Sequence, residues 1–280
     1  MTARTARRVL ALAAFAGSFS PAAQAREEPL WEAGFGGVAL ELPDYRGSSR
    51  SRTYALPLPF FVYRGEVFKA DREGVRGILF DSERVELQLS VGASLPVDSD
   101  RSPLREGMES LSPAVEIGPS LEVHLWKSRA SGAKVDLRLP LRAALTVESH
   151  PKYIGVQFFP HLNVDLEDVP GLKGWNVGML AGPVFTDRRY NDYFYSVGEG
   201  DATATRPAYA AKGGYGGMQF ILGASRRIEQ WWLGAYVRYD TLRGAAFEPS
   251  PLVDSRRYVA GGIGLSWVFA QSGRKAAPAR

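Results

Sequence analysis

Imidazole and thiol side chains, the groups most often used for zinc binding and proton transfer near neutral pH, are few in this chain of 280 residues: three histidines and no cysteine. His124 lies two residues from Glu122, and His161 lies four from Asp165. Imidazole beside carboxylate can hold zinc or pass a proton, but the spacings H-x-x-x-H and H-E-x-x-H are absent, so no metal is expected. Serine hydrolysis needs a strained elbow of the G-x-S-x-G type, and none occurs, so no catalytic residues are expected and the chain does not read as an enzyme. The glycine groups GFGG and GGYGG lack the Lys-Ser/Thr that completes a phosphate loop, and no cofactor is implied. One cluster remains, DRRYNDYFYSV at 187–197. Arg188, Arg189, Tyr190, Tyr193, Phe194 and Tyr195 could form an adhesive or saccharide-binding surface on an outer loop. The plainer expectation is that they pack that loop over whatever lies beneath it.

The other chemistry-bearing residues share a pattern rather than a motif. Glu86, Gln88, Glu116, Glu122, Asp136, Arg138, Arg142, His161, Asp165 and Arg238 each occupy the polar side of a run that alternates with period two, the mark of a strand. In RVELQLSVGASLPV (84–97), Val85, Leu87, Leu89, Val91, Ala93 and Leu95 share one face, and Glu86, Gln88 and Ser90 lie on the other. Segments 115–126, 135–147 and 154–166 repeat the pattern, with Ile154, Val156, Phe158 and Leu162 on the apolar side of the last. Weaker versions occupy 31–40, 53–63, 175–185, 217–225, 232–240 and 258–269. Each strong run matches the ~9 to 11 residues that a tilted strand needs to cross hydrocarbon.

These features predict an all-β chain forming an antiparallel transmembrane β-barrel, apolar side to lipid and polar side to the lumen. Aromatic residues near run ends, among them Trp31, Trp126, Tyr153, Trp231, Trp232, Tyr258, Trp267 and Phe269, suit two interfacial girdles. Long connections at 43–51, 96–113, 187–212 and 243–256 alternate with short ones near 127–133, 167–173 and 228–230. Keeping the long loops on one side requires two passes across 67–84, with a tip near Asp71 to Gly74. That reading predicts twelve strands with both ends in the periplasm, and ten if the stretch makes no pass.

An export route fits the amino terminus. Arg4, Arg7 and Arg8 precede an apolar run from Val9 to Phe19, and Ala23-Gln24-Ala25 follows, so residues 1–25 read as a secretory signal peptide. Those arginines account for three of the four net positive charges, and no basic block remains to suggest nucleic acid. The barrel is then expected over 26–269, with 270–280 a disordered basic tail in the periplasm.

Several stretches resemble the MltA-interacting protein family of Gram-negative outer membranes, also called the MipA/OmpV family. They are LPDYRGS, TYALPLPFFVYRGE, ADREGVRG, LFDSERVELQLSVGASLPVDSD, LSPAVEIGPSLEVHLW, DRRYNDYFYSV, RPAYAAKGGYGG and SPLVDSRRYVAGGIGLSWVF, in order along the chain. The resemblance implies an outer-membrane barrel without catalytic residues. It also implies a scaffold that joins a lytic transglycosylase, which is a murein hydrolase, to a penicillin-binding murein synthase during peptidoglycan assembly. A porin-like channel for small solutes and an outer-surface adhesin are the alternatives that the family leaves open.

Overall fold

The computed structural model describes residues 28–71, 74–128, 131–169 and 171–276. The alternating runs become β1 (Trp31–Pro43), β2 (Ser51–Arg64), β3 (Phe68–Asp71), β4 (Gly74–Asp81), β5 (Val85–Ser94), β6 (Ala114–Ser128), β7 (Ala133–Thr146), β8 (Tyr153–Phe158), β9 (His161–Leu166), β10 (Trp175–Thr186), β11 (Gly214–Ile228), β12 (Trp231–Thr241) and β13 (Arg257–Gln271). Both β8 and β9 lie between β7 and β10, so they are halves of one pass. They part at Phe159-Pro160, where proline has no N–H to give to a ladder. The result is twelve antiparallel passes, and β13 pairs with β1 from Glu32↔Gln271 to Glu41↔Gly261 to close the ring. The stretch across 67–84 does supply two passes, paired through Phe68↔Gly77 and Asp71↔Gly74.

Side chains are sorted inside out relative to a protein that folds in water. On β13, Val259, Ile263 and Leu265 are 58%, 62% and 48% exposed, while Ala260 and Ser266 on the opposite face are buried. On β5, Leu89 is exposed and Gln88 is buried. A surface of bare Leu, Ile, Val and Phe around the whole ring suits hydrocarbon as solvent, and the carboxylates and guanidinia turn to the lumen. Short turns, such as 82–84 and 229–230, gather at one rim. The long loops 44–50, 95–113, 147–152, 187–213 and 242–256 gather at the other.

Local departures from simple alternation have identifiable causes. DRRYNDYF forms a helix, α1 (Arg188–Tyr195), where only a loop was expected. Asp187 caps it by accepting the Tyr190 N–H at 2.8 Å, and Asn191, Phe194 and Tyr195 form its buried side. Ile154, expected on the lipid face, is buried inside the mouth because the β7–β8 register shifts between Ala144 and Leu145. That bulge puts Tyr153 outside and Ile154 inside. Gly155 follows at φ 128°, and a Cβ there would strike Asp187 and the Tyr190 backbone, so only glycine lets α1 start against this strand.

Two aromatics expected in the girdles also turn inward: Trp232 lies 6.0 Å from Phe60, and Tyr258 accepts a hydrogen bond from Arg238 at 2.9 Å. Trp126, Trp231, Trp267 and Phe269 remain exposed outside. β13 runs past Phe269 to Gln271, and Pro29 bridges Lys275, so the segment from 270 begins as paired chain rather than as a tail. The segments expected as leader (1–25) and as the last tail residues (277–280) lie outside the described residues.

The wall is not equally tall all round. β3 has four residues and β4 has eight, against fourteen in β2. Among the described residues, β2 pairs with β3 at Tyr63↔Ala70 and Arg64↔Lys69, and β4 pairs with β5 from Asp81↔Glu86 to Arg76↔Ser90.

If lipid is the outer solvent, Leu89→Arg and Ile263→Arg should each cost about 2–4 kcal/mol in urea unfolding from phospholipid vesicles, and Leu89→Met should cost little. Losses below about 0.5 kcal/mol for both arginines, the range of an ordinary water-facing surface site, would contradict the lipid-out assignment.

Candidate functional site

Twelve strands enclose a lumen whose charges neutralise one another. The β6–β7 and β7–β9 ladders place Glu122, Arg138 and His161 in one row across three passes, and His124, Asp136 and Asn163 in the next. Glu122 accepts from Lys134 Nζ at 2.8 Å and Gln88 Nε2 at 3.3 Å, and forms an ion pair with Arg138, whose Nε lies 3.0 Å away. Asp136 takes Lys134 at 2.9 Å and His124 Nδ1 at 2.9 Å. Both carboxylates are essentially sealed from solvent, 2% and 0% exposed. A buried charge is tolerated only when paired and hydrogen-bonded, and here two acids meet two bases and an imidazole.

The same cluster answers the metal question. Ligand atoms of Glu122, His124 and Asp136 all lie within 4.8 Å of one another, close enough to share an ion. The Lys134 ammonium reaches both carboxylates, so a protein cation already fills that electrostatic role.

Two further groups sit nearer the long loops. Arg142 bonds Ser90 Oγ at 2.6 Å and faces Glu116 at 3.9 Å, and Tyr190 of α1 donates to Glu116 Oε1 at 3.0 Å. Arg46 from loop 44–50 reaches Asp240 Oδ1 at 3.1 Å, and Arg238 pairs with the same carboxylate. His161 stands apart, its ring 4.4 Å from Phe159 and its Nδ1 2.8 Å from the Phe159 carbonyl oxygen. Asp165 accepts from Asn163 Nδ2 at 2.6 Å, and Glu86 is half-buried opposite Glu122.

Above the lumen the long loops fold into one apolar cap. Tyr45, Val97, Leu111, Phe194, Tyr195, Val197, Leu242, Phe247 and Leu252 form a single buried cluster drawn from four loops. Tyr195 and Phe247 stack face to face, with centroids 3.8 Å apart and planes within 4°. Polar ends are used as clasps: Tyr45 Oη donates to the Leu252 carbonyl at 2.7 Å, Tyr195 Oη to Arg46 O at 2.9 Å, and Ser250 Oγ to Tyr195 O at 2.6 Å.

Arg105 is buried and donates to the carbonyls of Phe194 and Glu109 at 3.1 and 3.2 Å, which ties loop 95–113 to α1. Burial lowers its pKa from the usual guanidinium value. Burial, and then the nearby Glu116, pushes the Tyr190 phenol well above its ordinary range, so it stays protonated and keeps donating.

The residues considered as an outer surface therefore divide. Tyr190, Tyr193, Phe194 and Tyr195 point into the cap, with Tyr193 Oη accepting the Ser112 N–H at 2.8 Å. Arg188 and Arg189 are exposed, the latter 5.2 Å above the Tyr153 ring. Pattern reading missed Lys134, Asp240 and Arg46. The first two continue an existing alternation by one step, from Asp136 and Arg238, and were legible. Arg46 lies in a loop, 194 residues from its partner, and no local signal marks it.

Residues 35–269 match the family model described as MltA-interacting protein MipA. The chain is 26% identical over 202 residues to outer membrane protein OmpV of Vibrio cholerae serotype O1, across 70% of this chain and 71% of that protein. It is 24% identical over 202 residues to outer membrane protein Omp26La of Vibrio anguillarum, with the same coverage of each chain. Among solved structures, a bacterial polysaccharide outer membrane secretin aligns at TM-score 0.40 and 10% identity, over 87% of this chain and 99% of its own.

Glu122→Gln should destabilise the barrel by about 3–5 kcal/mol, because it leaves buried cations short of a partner. Adding Lys134→Met should recover part of that loss in a double-mutant cycle, and strictly additive losses would contradict the coupling. Phe247→Ala should cost about 3–5 kcal/mol and speed trypsin cleavage within 187–213. Unchanged cleavage would mean that the stack does not hold the cap.

Proposed function

This chain belongs to the MltA-interacting protein MipA family, and from that premise we propose that it works by holding murein enzymes at the outer membrane rather than by conduction or catalysis. It is an outer-membrane β-barrel protein whose bilayer contact is the apolar ring described above. The observation that supports holding over conduction is the cap: four loops share one buried cluster, sealed by the Tyr195–Phe247 stack, above a lumen of paired charges. Solute flow would need that packing to open. Catalysis is disfavoured by the way the lumenal acids are used, since Glu122 and Asp136 are taken up by Lys134, Arg138 and His124.

In this reading the long loops face outward, and the short turns and both chain ends face the periplasm, the parity usual for bacterial outer-membrane barrels. In this reading the partners are a lytic transglycosylase and a penicillin-binding murein synthase; the family's name, MltA-interacting protein, supports an interaction with MltA. Turns 128–133 and 167–174 offer the larger surfaces at that rim.

Affinity purification from detergent-solubilised envelopes tests this reading. The intact barrel should co-purify a murein hydrolase and a murein synthase. A folded variant with 167–174 shortened to an Asn-Gly turn should recover less of both. Neither enzyme in the wild-type eluate, or equal recovery with the shortened turn, would count against the scaffold and the surface respectively.

A further inference from the structure

We propose that the start of α1 and the chain segments packed against it form a phosphate-binding corner on the outer rim of the barrel. Its ligand is a phosphorylated glycolipid of the outer leaflet, of the lipid A type, held by its headgroup. The proposal rests on the outward orientation of the long loops given above. Four exposed cations meet at this corner: Lys152 just before β8, Arg188 and Arg189 in the first turn of α1, and Lys212 just before β11.

The fold builds their convergence. The Asp187 N–H donates to the Val156 carbonyl at 3.0 Å, which starts α1 against β8. The Arg189 guanidinium then lies 5.2 Å above the ring of Tyr153, which faces out and is exposed. Gly213 approaches the Asp187–Arg188 backbone so closely that a Cβ there would come within 2.5 Å of the Arg188 nitrogen, so glycine is what lets the two segments touch. Asn191, fully buried, donates to the Lys212 carbonyl at 2.7 Å and fixes that backbone beside α1.

Two of the four charges are unspent. Among the described residues, Arg189 and Lys212 have no carboxylate in ion-pair contact. The acids of this corner are engaged elsewhere or loosely held. Asp187 accepts the Tyr190 N–H, Asp192 accepts from Ser196 Oγ and lies 3.5 Å from Arg188, and Glu148 accepts from Thr146 Oγ1 and lies 3.8 Å from Lys152. Such exposed pairs contribute little, and phosphate oxygens can take their place with stronger charge-assisted bonds.

Below the cations the outer face suits acyl chains. The ladders align Leu141, Phe158, Phe185 and Tyr215 across β7, β8, β10 and β11, with the three rings 6.3 and 6.0 Å apart along the row. Leu141 and Phe185 are exposed. Arg188 and Lys212 each lie three residues beyond that row. At ~3.3 Å per residue and a tilt of ~45°, that is roughly 7 Å along the membrane normal. A bilayer of ~40–45 Å around a hydrocarbon core of ~30 Å has headgroup layers of about that depth. Rings at the acyl boundary and cations at phosphate level match one amphipathic lipid, whereas a soluble anion would use the upper part alone.

The test titrates the intact barrel in detergent micelles with lipid A and reads binding by native mass spectrometry. Lipid A should bind saturably, and the Arg189→Gln, Lys212→Gln variant should bind it about ten- to thirty-fold more weakly. Arg101→Gln, which neutralises an exposed cation elsewhere on the rim, should bind as the wild type does. Equal affinity of wild type and double variant, or equal affinity for lipid A stripped of its phosphates, would overturn the site. Phosphatidylglycerol or inorganic phosphate bound as tightly as lipid A would overturn the glycolipid assignment. Orientation is read separately: because the sequence has no cysteine, Ala202→Cys in loop 187–213 gives a single thiol, which should react with a membrane-impermeant maleimide on whole cells. Reaction only after the cells are broken would overturn the outer-leaflet assignment, whereas normal labelling with failed binding would overturn the site alone.

Discussion

Hydrocarbon offers no hydrogen bonds, so a chain that crosses it by strands must satisfy its peptide groups within a closed ring. The β13–β1 ladder is where this protein meets that demand, and the remaining organisation follows from closure. Closure fixes an inside and an outside, and the period of two then assigns each side chain to one of them. Residues that would form a core in water become the outer surface. Residues that would face water are enclosed, and they must then neutralise one another. Glu122 and Asp136, with Lys134, Arg138 and His124, are a direct consequence of that enclosure.

The two rims have different chemistry. Short turns cost little to order and leave one end plain, whereas the long loops lose much more entropy on folding and need a core of their own. That core is aromatic: Tyr45, Phe194, Tyr195 and Phe247 supply large buried area with few rotatable bonds, and their hydroxyls reach carbonyls of neighbouring loops. Arg105 adds a planar donor that binds carbonyls of two segments at once. The cap and the lumenal charges form one body, because Tyr190 and Arg46 descend from the loops to Glu116 and Asp240.

The barrel was legible in the sequence because lipid and lumen impose a two-residue period that needs no knowledge of distant contacts. Val259, Ile263 and Leu265 read as one face and are one face. The twelve passes were legible because loop parity constrains the short hairpin at 67–84, which alternation alone left ambiguous. What escaped depends on contacts far apart in the chain. Ile154 follows the period yet turns inward, because a bulge beside α1 shifts its register. The helix itself is too short to show a period, and its buried side is defined by loops distant in sequence. Trp232 reads as an interfacial aromatic until β2 places Phe60 opposite it. Among the lumenal candidates, the alternation found the acids and arginines but not their pairing, since strand register is a property of the whole ring.

In the proposed scaffold this ring, filled by paired charges and capped by its own loops, stays closed in the membrane. Single-molecule current recording of the purified barrel in planar lipid bilayers tests it most directly. A closed barrel should insert without conductance steps, and steps should appear once the Tyr195–Phe247 stack is removed. Reproducible, uniform conductance steps from the intact protein would contradict it.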